Sequence, residues 1–348
     1  MTVIDSDAHV LETSQTWDFL DPEFKKYRPM VVAQVGGEQE ISLQGNLVAE
    51  YWVVDGRLHG KERNVDTTTT VESRELQNVS ARIHHMDQLN IDIQVLYPSL
   101  FLRPYTSNAE IEYALCKSYN RWLASINAQA PERLRWVVCP PLLSMDRVRE
   151  EVAFGKEHGA CGIFVRAFET NRLLTDHKLF PLYALAEEFD LAICQHAGND
   201  NAQMFEFFTG SAFNQFKLSG VGAFHHLLWT NTPEKFPNVR WGFIELSAQW
   251  VPYALNDLSI KYERFRGEKM PENMLKKNNF WVACQTTDDL DYVLSYTGED
   301  NLVIGTDYGH HDTSTEIEAL RTIRTNGKIP STVCDKILDN NARNLYGL

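Results

Sequence analysis

The first residues of the chain contain an Asp-x-His pair that could bind a metal ion. Asp7 and His9 close the segment Val3-Ile4-Asp5-Ser6-Asp7-Ala8-His9. Alternate side chains of an extended strand point to the same face, so the carboxylate and the imidazole would leave the strand together. Both groups are common ligands of divalent cations. For the pair alone, a strand that happens to end in polar residues is the better explanation, so other ligands are needed.

Three more possible ligands, His196, Glu245 and Asp307, lie at the ends of other apolar runs of strand length. Each has an ordinary structural explanation: His196 as a hydrogen-bonded core residue, Glu245 as a carboxylate at a helix N-terminus, Asp307 as the cap of a turn. Five such residues at corresponding positions favour one shared site instead. The predicted metal ligands are therefore Asp7, His9, His196, Glu245 and Asp307.

The charge of this ligand set limits the cation that it can hold. Two neutral imidazoles and three ionised carboxylates carry about −3, so one divalent cation leaves about −1 and two leave about +1. The set can therefore support one or two metal ions per chain. Because it is rich in oxygen, manganese and iron suit it as well as zinc.

The elements that must position these residues alternate between strands and helices. Helical periodicity occurs between the apolar runs, for example over residues 147–158 and 179–189. Eight such units predict an α/β protein with a distorted (β/α)8 TIM barrel, in which the loops at the carboxyl ends of the strands carry the active site. The predicted strands are residues 3–9, 93–97, 134–139, 162–166, 191–196, 239–245, 280–284 and 302–307.

The chain is longer than such a barrel requires, and the surplus follows the first strand. A barrel of this kind takes about 250 residues, whereas this sequence has 348. Within residues 24–71, Gly36-Gly37, Gly45 and Asp55-Gly56 separate short alternating runs, as turns do in hairpins. We predict a single domain over residues 1–348, with a β-rich insertion over residues 24–71 that caps the barrel mouth.

Composition disfavours several classes of partner. A net charge of −14 argues against nucleic acids and anionic membranes, since both require a basic surface. No apolar run reaches the roughly 20 residues that span a bilayer, and the N-terminus lacks a basic segment followed by an apolar one. The six cysteines have no C-x-x-C spacing, so we expect reduced core residues. The expected protein is cytoplasmic and acts on a small molecule.

Motifs along nearly the whole chain resemble the amidohydrolase superfamily. The resemblance is to the branch that includes aminocarboxymuconate semialdehyde decarboxylase and related aryl decarboxylases. The motifs that carry it are Arg82-Ile83-His84-His85-Met86-Asp87, Tyr119-Asn120-Arg121-Trp122, Gln195-His196-Ala197-Gly198, Phe236-Pro237-Asn238-Val239-Arg240, Gly305-Thr306-Asp307-Tyr308-Gly309-His310 and Asn341-Ala342-Arg343-Asn344-Leu345-Tyr346.

The resemblance implies a role for each predicted ligand. Asp7 and His9 take the place of the His-x-His pair that usually binds metal on strand one, and His196 takes the place of the metal-binding His on strand five. Asp307 corresponds to an Asp that binds metal and transfers protons. Glu245 stands where the family has a His near the reacting water, so it adds negative charge where an imidazole would be neutral.

Three functions are compatible with such a site. In the first, a divalent metal supports hydrolysis or non-oxidative decarboxylation, with Asp307, Glu245 and His310 as catalytic residues. In the second, the site holds iron, Glu245 bridges or binds a second ion, and the protein is a monooxygenase, as some members of this superfamily fold are reported to be. In the third, the metal only stabilises a non-catalytic protein, which the absence of a Cys- or His-rich ligand set disfavours.

Residues near the predicted mouth suggest how a substrate binds. Arg166 ends strand four and could bind a substrate carboxylate or form a structural ion pair. Phe205 and Phe208 belong to an aromatic stretch that could form a lid over a cyclic or aromatic substrate, or pack a helix or a dimer contact. His226, in a helix predicted from Gly222 to Thr230, could point toward the metal. The aromatic surface and the resemblance also predict a homodimer or larger homo-oligomer.

Overall fold

Eight parallel strands form the centre of the protein. A computed structural model describes residues 2–33, 40–41, 47–48, 50–61, 65 and 68–348. The strands pair in the order of the sequence, which confirms the predicted (β/α)8 barrel. They are β1 (Ile4–His9), β2 (Ile93–Tyr97), β3 (Leu134–Val138), β4 (Ala160–Val165), β5 (Ala192–His196), β6 (Trp241–Ile244), β7 (Phe280–Cys284) and β8 (Leu302–Ile304).

The barrel closes between β1 and the segment that follows β8. The His9 N–H donates to the Tyr308 carbonyl, and the Asp307 N–H donates to the Asp7 carbonyl, both at 2.9 Å. Gly305 permits this approach, because a Cβ there would overlap the Cβ of Asp7 and lie 2.7 Å from its nitrogen. This seam sets the side chains of Asp7, His9 and Asp307 next to one another.

A helix follows each strand, which is the repeat that a parallel barrel requires. The helices predicted over residues 147–158 and 179–189 run from Val148 to Glu157 and from Phe180 to Glu188. The main helices are Val79–Leu89, Ala109–Asn127, Val148–Glu157, Phe180–Glu188, Ser219–Trp229, Val251–Arg266, Leu290–Thr297 and Ala319–Thr325. Shorter ones are Val71–Arg74, Ala202–Phe207, Met274–Lys277, Ser331–Asp335 and Asn341–Tyr346, with π-helical turns at Phe213–Leu218 and Lys336–Asn340.

Residues 24–71, predicted as a β-rich insertion, contain antiparallel strands. Met30–Ala33, Glu50–Val54 and Arg57–Gly60 form one sheet, and Glu40–Ile41 pairs with Leu47–Val48. Asp55 and Gly56 both have positive φ, as a two-residue hairpin turn of type I′ requires. The turns predicted at Gly36-Gly37 and Gly45 lie outside the described residues.

A buried polar network supports the seam from below. Asp5 accepts hydrogen bonds from the Thr306 N–H at 2.9 Å, the Thr306 hydroxyl at 2.6 Å and the Gln94 amide at 2.9 Å. Gln94 in turn accepts from Arg82 Nε at 2.6 Å, and Arg82 donates to the His9 carbonyl at 3.2 Å. Burial raises the pKa of Asp5 to about 6. Because each polar group here has a partner, the network holds β1, β2 and the end of β8 in one arrangement.

The described part of the chain contains no helix that is both long enough and apolar enough to cross a membrane. All six cysteines are free and buried, and they lie in the protein interior rather than in a ligand cluster.

Candidate metal centre

Four side-chain donors converge at the carboxyl ends of β1, β5 and β8. The Nε2 atoms of His9 and His196 lie 3.1 Å apart. Asp7 Oδ1 lies 3.5 Å from His9 Nε2 and 3.3 Å from His196 Nε2, and Asp307 Oδ1 lies 3.5 Å from His9 Nε2. All four residues are buried. The structure thus groups Asp7, His9 and His196 within 4.8 Å of one another, and His9 also belongs to a neighbouring group with Asp307 and His310.

Backbone hydrogen bonds fix the tautomers of the two histidines. His9 Nδ1 lies 3.0 Å from the Pro98 carbonyl, and His196 Nδ1 lies 2.9 Å from the Ala197 carbonyl. A carbonyl only accepts, so Nδ1 carries the proton in each ring and Nε2 of the neutral ring presents a lone pair. Two facing lone pairs at 3.1 Å repel each other unless a proton or a cation lies between them. With two carboxylate oxygens beside them, these donors fit a divalent metal ion.

Two acidic residues of the site adopt a left-handed backbone conformation. The φ angle is +61° at Glu245, directly after β6, and +53° at Asp307, shortly after β8. Residues with a Cβ rarely adopt such angles, which cost roughly 1–3 kcal/mol each and cluster at functional sites. The chain therefore departs from regular strand geometry at the two points where these carboxylates enter the site.

Glu245 belongs to a second group of donors beside the first. Carboxylate oxygens of Glu245, Asp307 and Asp312 lie within 4.8 Å of one another. Glu245 Oε2 also lies 3.2 Å from His196 Nδ1, so the two groups are contiguous. Sequence reasoning did not select Asp312, although an acidic residue this close after Asp307 was a usable signal.

Burial and mutual repulsion govern the charges of these acids when no cation is bound. Burial raises the pKa of Glu245 and that of Asp307 well above the usual range, and the charge of Asp312 adds to both effects. Burial alone would also raise the pKa of Asp7, but His196 beside it holds that pKa below its ordinary value. The metal-free site therefore takes up protons, which a divalent cation would displace.

His310 links Asp307 to the space above the site. Its Nδ1 lies 2.9 Å from Asp307 Oδ1, and its Nε2 lies 2.7 Å from the Ser99 hydroxyl. Burial lowers the pKa of His310 to about 4, so the ring is neutral. The Ser99 hydroxyl donates its proton to the Val10 carbonyl at 2.8 Å, so it accepts from Nε2–H of His310, and Nδ1 accepts from the protonated Asp307 carboxyl group. The Thr315 hydroxyl donates to the other Asp307 oxygen at 2.6 Å. His310 and Thr315 together fix the orientation of the Asp307 carboxylate.

A cavity of about 450 Å³ adjoins the centre through Glu245 and His310, which line it and contact His196 and Asp307. Its walls are largely apolar and aromatic, with charged groups near the metal centre, a composition typical of small-molecule sites. The π-helical turn Phe213–Leu218 contributes Phe213, Phe216 and Lys217, and such turns are frequent at functional sites. The lining residues include Leu11, Glu12, Trp52, His59, Lys61, Ser99, Leu102, Arg103, Phe213, Phe216, Lys217, Glu245, His310 and Asp312.

Arg166, predicted to bind a substrate carboxylate, does not line this cavity. It is buried, donates to Glu169 Oε2 at 2.6 Å and to the Phe101 carbonyl at 2.9 Å, and lies 3.3 Å from Asp200. Two carboxylates therefore already neutralise its charge. The ion-pair alternative fits this geometry, and the substrate-binding assignment does not.

The aromatic and histidine residues predicted to contact substrate also lie elsewhere. Phe208 and His226 line a separate apolar cavity of about 430 Å³, and the Phe205 ring packs edge-on against Phe216, with centroids 5.5 Å apart. From this aromatic stretch, the rings that line the metal-centre cavity are those of Phe213 and Phe216. Phe213 and Phe216 belong to the π-helical turn, whereas Phe205 and Phe208 lie in and directly after the preceding helix Ala202–Phe207.

The fold and the site together define a metal-dependent (β/α)8 enzyme class with a mixed carboxylate and imidazole centre. The family model described as Amidohydrolase matches residues 4–348, so the chain belongs to this family. The recognised resemblance is thereby confirmed. Membership supports a divalent-metal hydrolase or decarboxylase. No curated protein matches the sequence.

Similar solved structures agree with the fold over the full length of the chain. An amidohydrolase from Mycobacterium avium subsp. paratuberculosis is 18% identical, with a TM-score of 0.76 and 99% coverage of both chains. The 5-carboxyvanillate decarboxylase of Sphingomonas paucimobilis is 16% identical, with a TM-score of 0.69 over 100% of this chain and 99% of that one. The corresponding enzyme from Novosphingobium aromaticivorans, solved with manganese and 4-hydroxy-3-methoxy-5-nitrobenzoic acid, is 18% identical, with a TM-score of 0.66 over 100% and 96%.

Proposed function

We propose that the protein is a divalent-metal enzyme that removes the carboxylate of a small aromatic acid without oxidation, with hydrolysis on the same centre as the alternative reaction. The observation that carries the proposal is the convergence of Asp7, His9, His196 and Asp307 beneath an aromatic-walled cavity. When bound, the metal supplies positive charge that orients an anionic substrate and polarises its oxygens. The manganese and aromatic ligands of the neighbouring structures support this class of cation and substrate.

Glu245 is the group best placed to act as the proton donor. Its carboxyl group lines the cavity and contacts His196, and Lys217 contributes positive charge nearby. In the proposed reaction Glu245 gives its proton to the ring carbon that carries the carboxylate. The carbon–carbon bond then breaks, its electron pair stays with the ring, and carbon dioxide leaves. Water returns a proton to Glu245.

His310 and Phe216 have positioning roles in this scheme. His310 holds the Asp307 carboxylate by a 2.9 Å hydrogen bond and stacks on His9 with ring centroids 3.8 Å apart. Phe216 presents an aromatic wall against which a substrate ring can pack. Both keep the reacting ring carbon within reach of Glu245 without exchanging protons with it.

Deuterium incorporation tests this proposal directly. Manganese-loaded protein incubated in D2O with a panel of aromatic carboxylates should release carbon dioxide and place one deuterium on the vacated ring carbon. Glu245→Gln should lower that rate about 100-fold or more while metal content is retained. The matched variant Glu206→Gln, on the exposed helix Ala202–Phe207, should leave the rate unchanged. Undiminished turnover in Glu245→Gln would contradict the proton-transfer role.

The second group of donors favours one further candidate, a two-iron monooxygenase. Glu245, Asp307 and Asp312 could hold a second cation beside the first, with Asp307 shared between them. Two irons per chain and substrate-dependent oxygen uptake would support oxygenation. One metal per chain, with carbon dioxide released under anaerobic conditions, would support decarboxylation.

A further inference from the structure

Lys217 joins the π-helical turn Phe213–Leu218 to the loop that follows β8. Its ammonium nitrogen donates to the Thr313 hydroxyl at 3.0 Å and to the Ser314 hydroxyl at 2.6 Å. A lysine ammonium has three donors and no acceptor, so both hydroxyl oxygens are the acceptors. Lys217 and Thr313 also line the metal-centre cavity. The contact therefore closes one side of the cavity between two segments that are distant in the sequence.

The Ser314 hydroxyl continues this connection to Glu245. Ser314 is only 8% exposed, and its hydroxyl donates to the Glu245 backbone carbonyl at 3.3 Å. A hydroxyl group has one proton and two lone pairs. Because the Lys217 ammonium takes up a lone pair of the oxygen, the proton is directed to Glu245. A continuous chain of hydrogen bonds thus runs from the ammonium group through the hydroxyl to the backbone of Glu245.

The backbone conformation of Glu245 has to be held in place by its surroundings. Its φ angle of +61° lies in the left-handed region, which is unfavourable for a residue with a Cβ. Such a conformation persists only where neighbouring groups over-determine it. The carbonyl that Ser314 holds belongs to the same residue, so this hydrogen bond fixes the backbone from which the Glu245 carboxyl group extends.

The π-helical turn is also attached to the barrel at a second place. The Gly198 N–H, directly after β5, donates to the Phe216 carbonyl at 3.3 Å. The turn is therefore tied to the end of β5 and, through Lys217, to the loop after β8. Glu245 follows β6, which lies between these strands in the order of the sheet.

Resting on the proposed function, we propose that Lys217 is a positioning residue for the proton donor. It holds the Ser314 hydroxyl on the Glu245 carbonyl and thereby fixes the Glu245 carboxyl group relative to the substrate ring. Because Lys217 belongs to the π-helical turn, the closed position of that turn and the working position of Glu245 are coupled. Catalytic groups need such supporting hydrogen bonds to stay within a fraction of an ångström of their productive geometry.

A double-mutant cycle on the manganese-loaded protein tests this role, with deuterium incorporation into the panel of aromatic carboxylates as the measured rate. Lys217→Met and Ser314→Ala should each lower kcat about 10-fold and change KM by no more than about 3-fold, because the walls that contact substrate remain. The double variant should also lose about 10-fold rather than about 100-fold, since both changes break the same connection. Lys217→Arg, which keeps several donors, should recover most of kcat.

Two further variants serve as controls for the cycle. Thr313→Val removes the other acceptor of the ammonium, on an exposed residue, and should lower kcat by no more than about 2-fold. Lys269→Met removes an equal charge from a side chain that is 90% exposed and should leave the rate unchanged. Losses that multiply in the double variant, or a higher KM with unchanged kcat in Lys217→Met, would overturn the proposal.

Hydrogen–deuterium exchange, measured by mass spectrometry, supplies a test that needs no substrate. In Lys217→Met, backbone amides of residues 211–218 and 243–248 should exchange about 10-fold faster than in the wild type, whereas Lys269→Met should change neither segment. Unchanged exchange over residues 243–248 would overturn the role of Lys217, even if the π-helical turn loosens.

The two proposals fail in different ways. If only the role of Lys217 is wrong, the wild type decarboxylates aromatic acids while residues 243–248 stay protected in Lys217→Met. If the proposed function is wrong, the wild type releases no carbon dioxide, and faster exchange in both segments of Lys217→Met still supports the connection to Glu245.

Discussion

The floor and the roof of the cavity are built in opposite ways. On the floor, Asp7, His9 and Asp307 are buried at the barrel seam, and each is tied to backbone or side-chain partners. On the roof, which the insertion and the turn Phe213–Leu218 form, Trp52 is buried whereas Phe213 is 59% exposed. A floor with few alternative arrangements suits chemistry that needs fixed distances, while a roof on an insertion and a short turn can vary without disturbing the barrel. Substitutions in the two regions should therefore fail differently.

Removing a floor ligand should have the largest effect. His196→Ala deletes one of two facing Nε2 donors, so metal content should fall below one ion per chain and turnover should fall by more than the roughly 10–100-fold that loss of a residue supporting a ligand costs. Inductively coupled plasma mass spectrometry and initial rates provide the measurements. The control is His226→Ala in the separate cavity, which should keep both metal and activity. Full metal content in His196→Ala would contradict the assignment of His196 as a metal ligand, and with it the distinction between floor and roof.

Altering the seam beneath the floor should act mainly on stability. Gly305→Ala places a methyl group against the Cβ and backbone of Asp7, so the free energy of unfolding should fall by about 3 kcal/mol, at the upper end for overpacked sites. The matched variant Gly222→Ala lies in the helix Ser219–Trp229 with open space around it and should be neutral or stabilising by up to about 1 kcal/mol. Urea denaturation of both variants would measure the difference. Equal stabilities would mean that the seam is not tightly packed.

Glu112 is a buried acid outside the metal centre, where no metal ion neutralises it. It therefore provides a comparison with the acids of the floor. Burial raises the pKa of Glu112 to about 8 from an ordinary value near 4.5, and Asp200 and Glu169 nearby add to the effect while Arg166 opposes it. The folded state then binds more protons than the unfolded state between those pH values, so this residue makes stability fall as pH rises through that window. Relative to Glu112→Gln, the wild type should lose up to about 1.4 kcal/mol per pH unit. Thermal denaturation of the wild type and of Glu112→Gln from pH 5 to pH 8 measures this loss. A difference in stability between the two proteins that stays constant with pH would contradict the prediction.

A roof substitution should have the smallest effect on folding. Phe213→Ala removes a largely exposed ring, so the free energy of unfolding should change by no more than about 0.5 kcal/mol. KM for an aromatic substrate should rise about 3- to 10-fold with little change in kcat, since the ring contacts substrate without taking part in the reaction. Steady-state kinetics measure the two constants separately. A drop in kcat with unchanged KM would contradict the prediction that Phe213 contacts the substrate without taking part in the reaction.

The sequence predicts the floor much better than the roof. Asp7, His9, His196 and Asp307 could be anticipated because strand ends of a parallel barrel meet at one edge, and the alternation of strands and helices locates those ends. Asp312 was missed although its closeness to Asp307 in the sequence was a usable signal, and His59 was missed because the side of the insertion that faces the cavity depends on a chain path set by packing against distant residues. Local sequence does not determine such paths.

Two further differences have identifiable physical causes. The carboxylate of Glu169, close to Arg166 in sequence, occupies the guanidinium that was expected to bind substrate, and Asp200 completes the pair from another strand end. Among the aromatic residues, Phe213 and Phe216 of the π-helical turn face the cavity, while Phe208, which ends the preceding helix, faces another; periodicity in the sequence does not reveal where the π-helical turn begins. The ion pair of Arg166 could have been anticipated from the sequence, whereas the orientation of Phe208 could not.

Anomalous X-ray diffraction from crystals of the manganese-loaded protein tests the central claim most directly. The prediction is a single strong peak, or the stronger of two, about 2.0–2.3 Å from Nε2 of both His9 and His196 and from carboxylate oxygens of Asp7 and Asp307. A peak that contacts none of these atoms, or no peak in protein that binds manganese in solution, would contradict the shared metal centre.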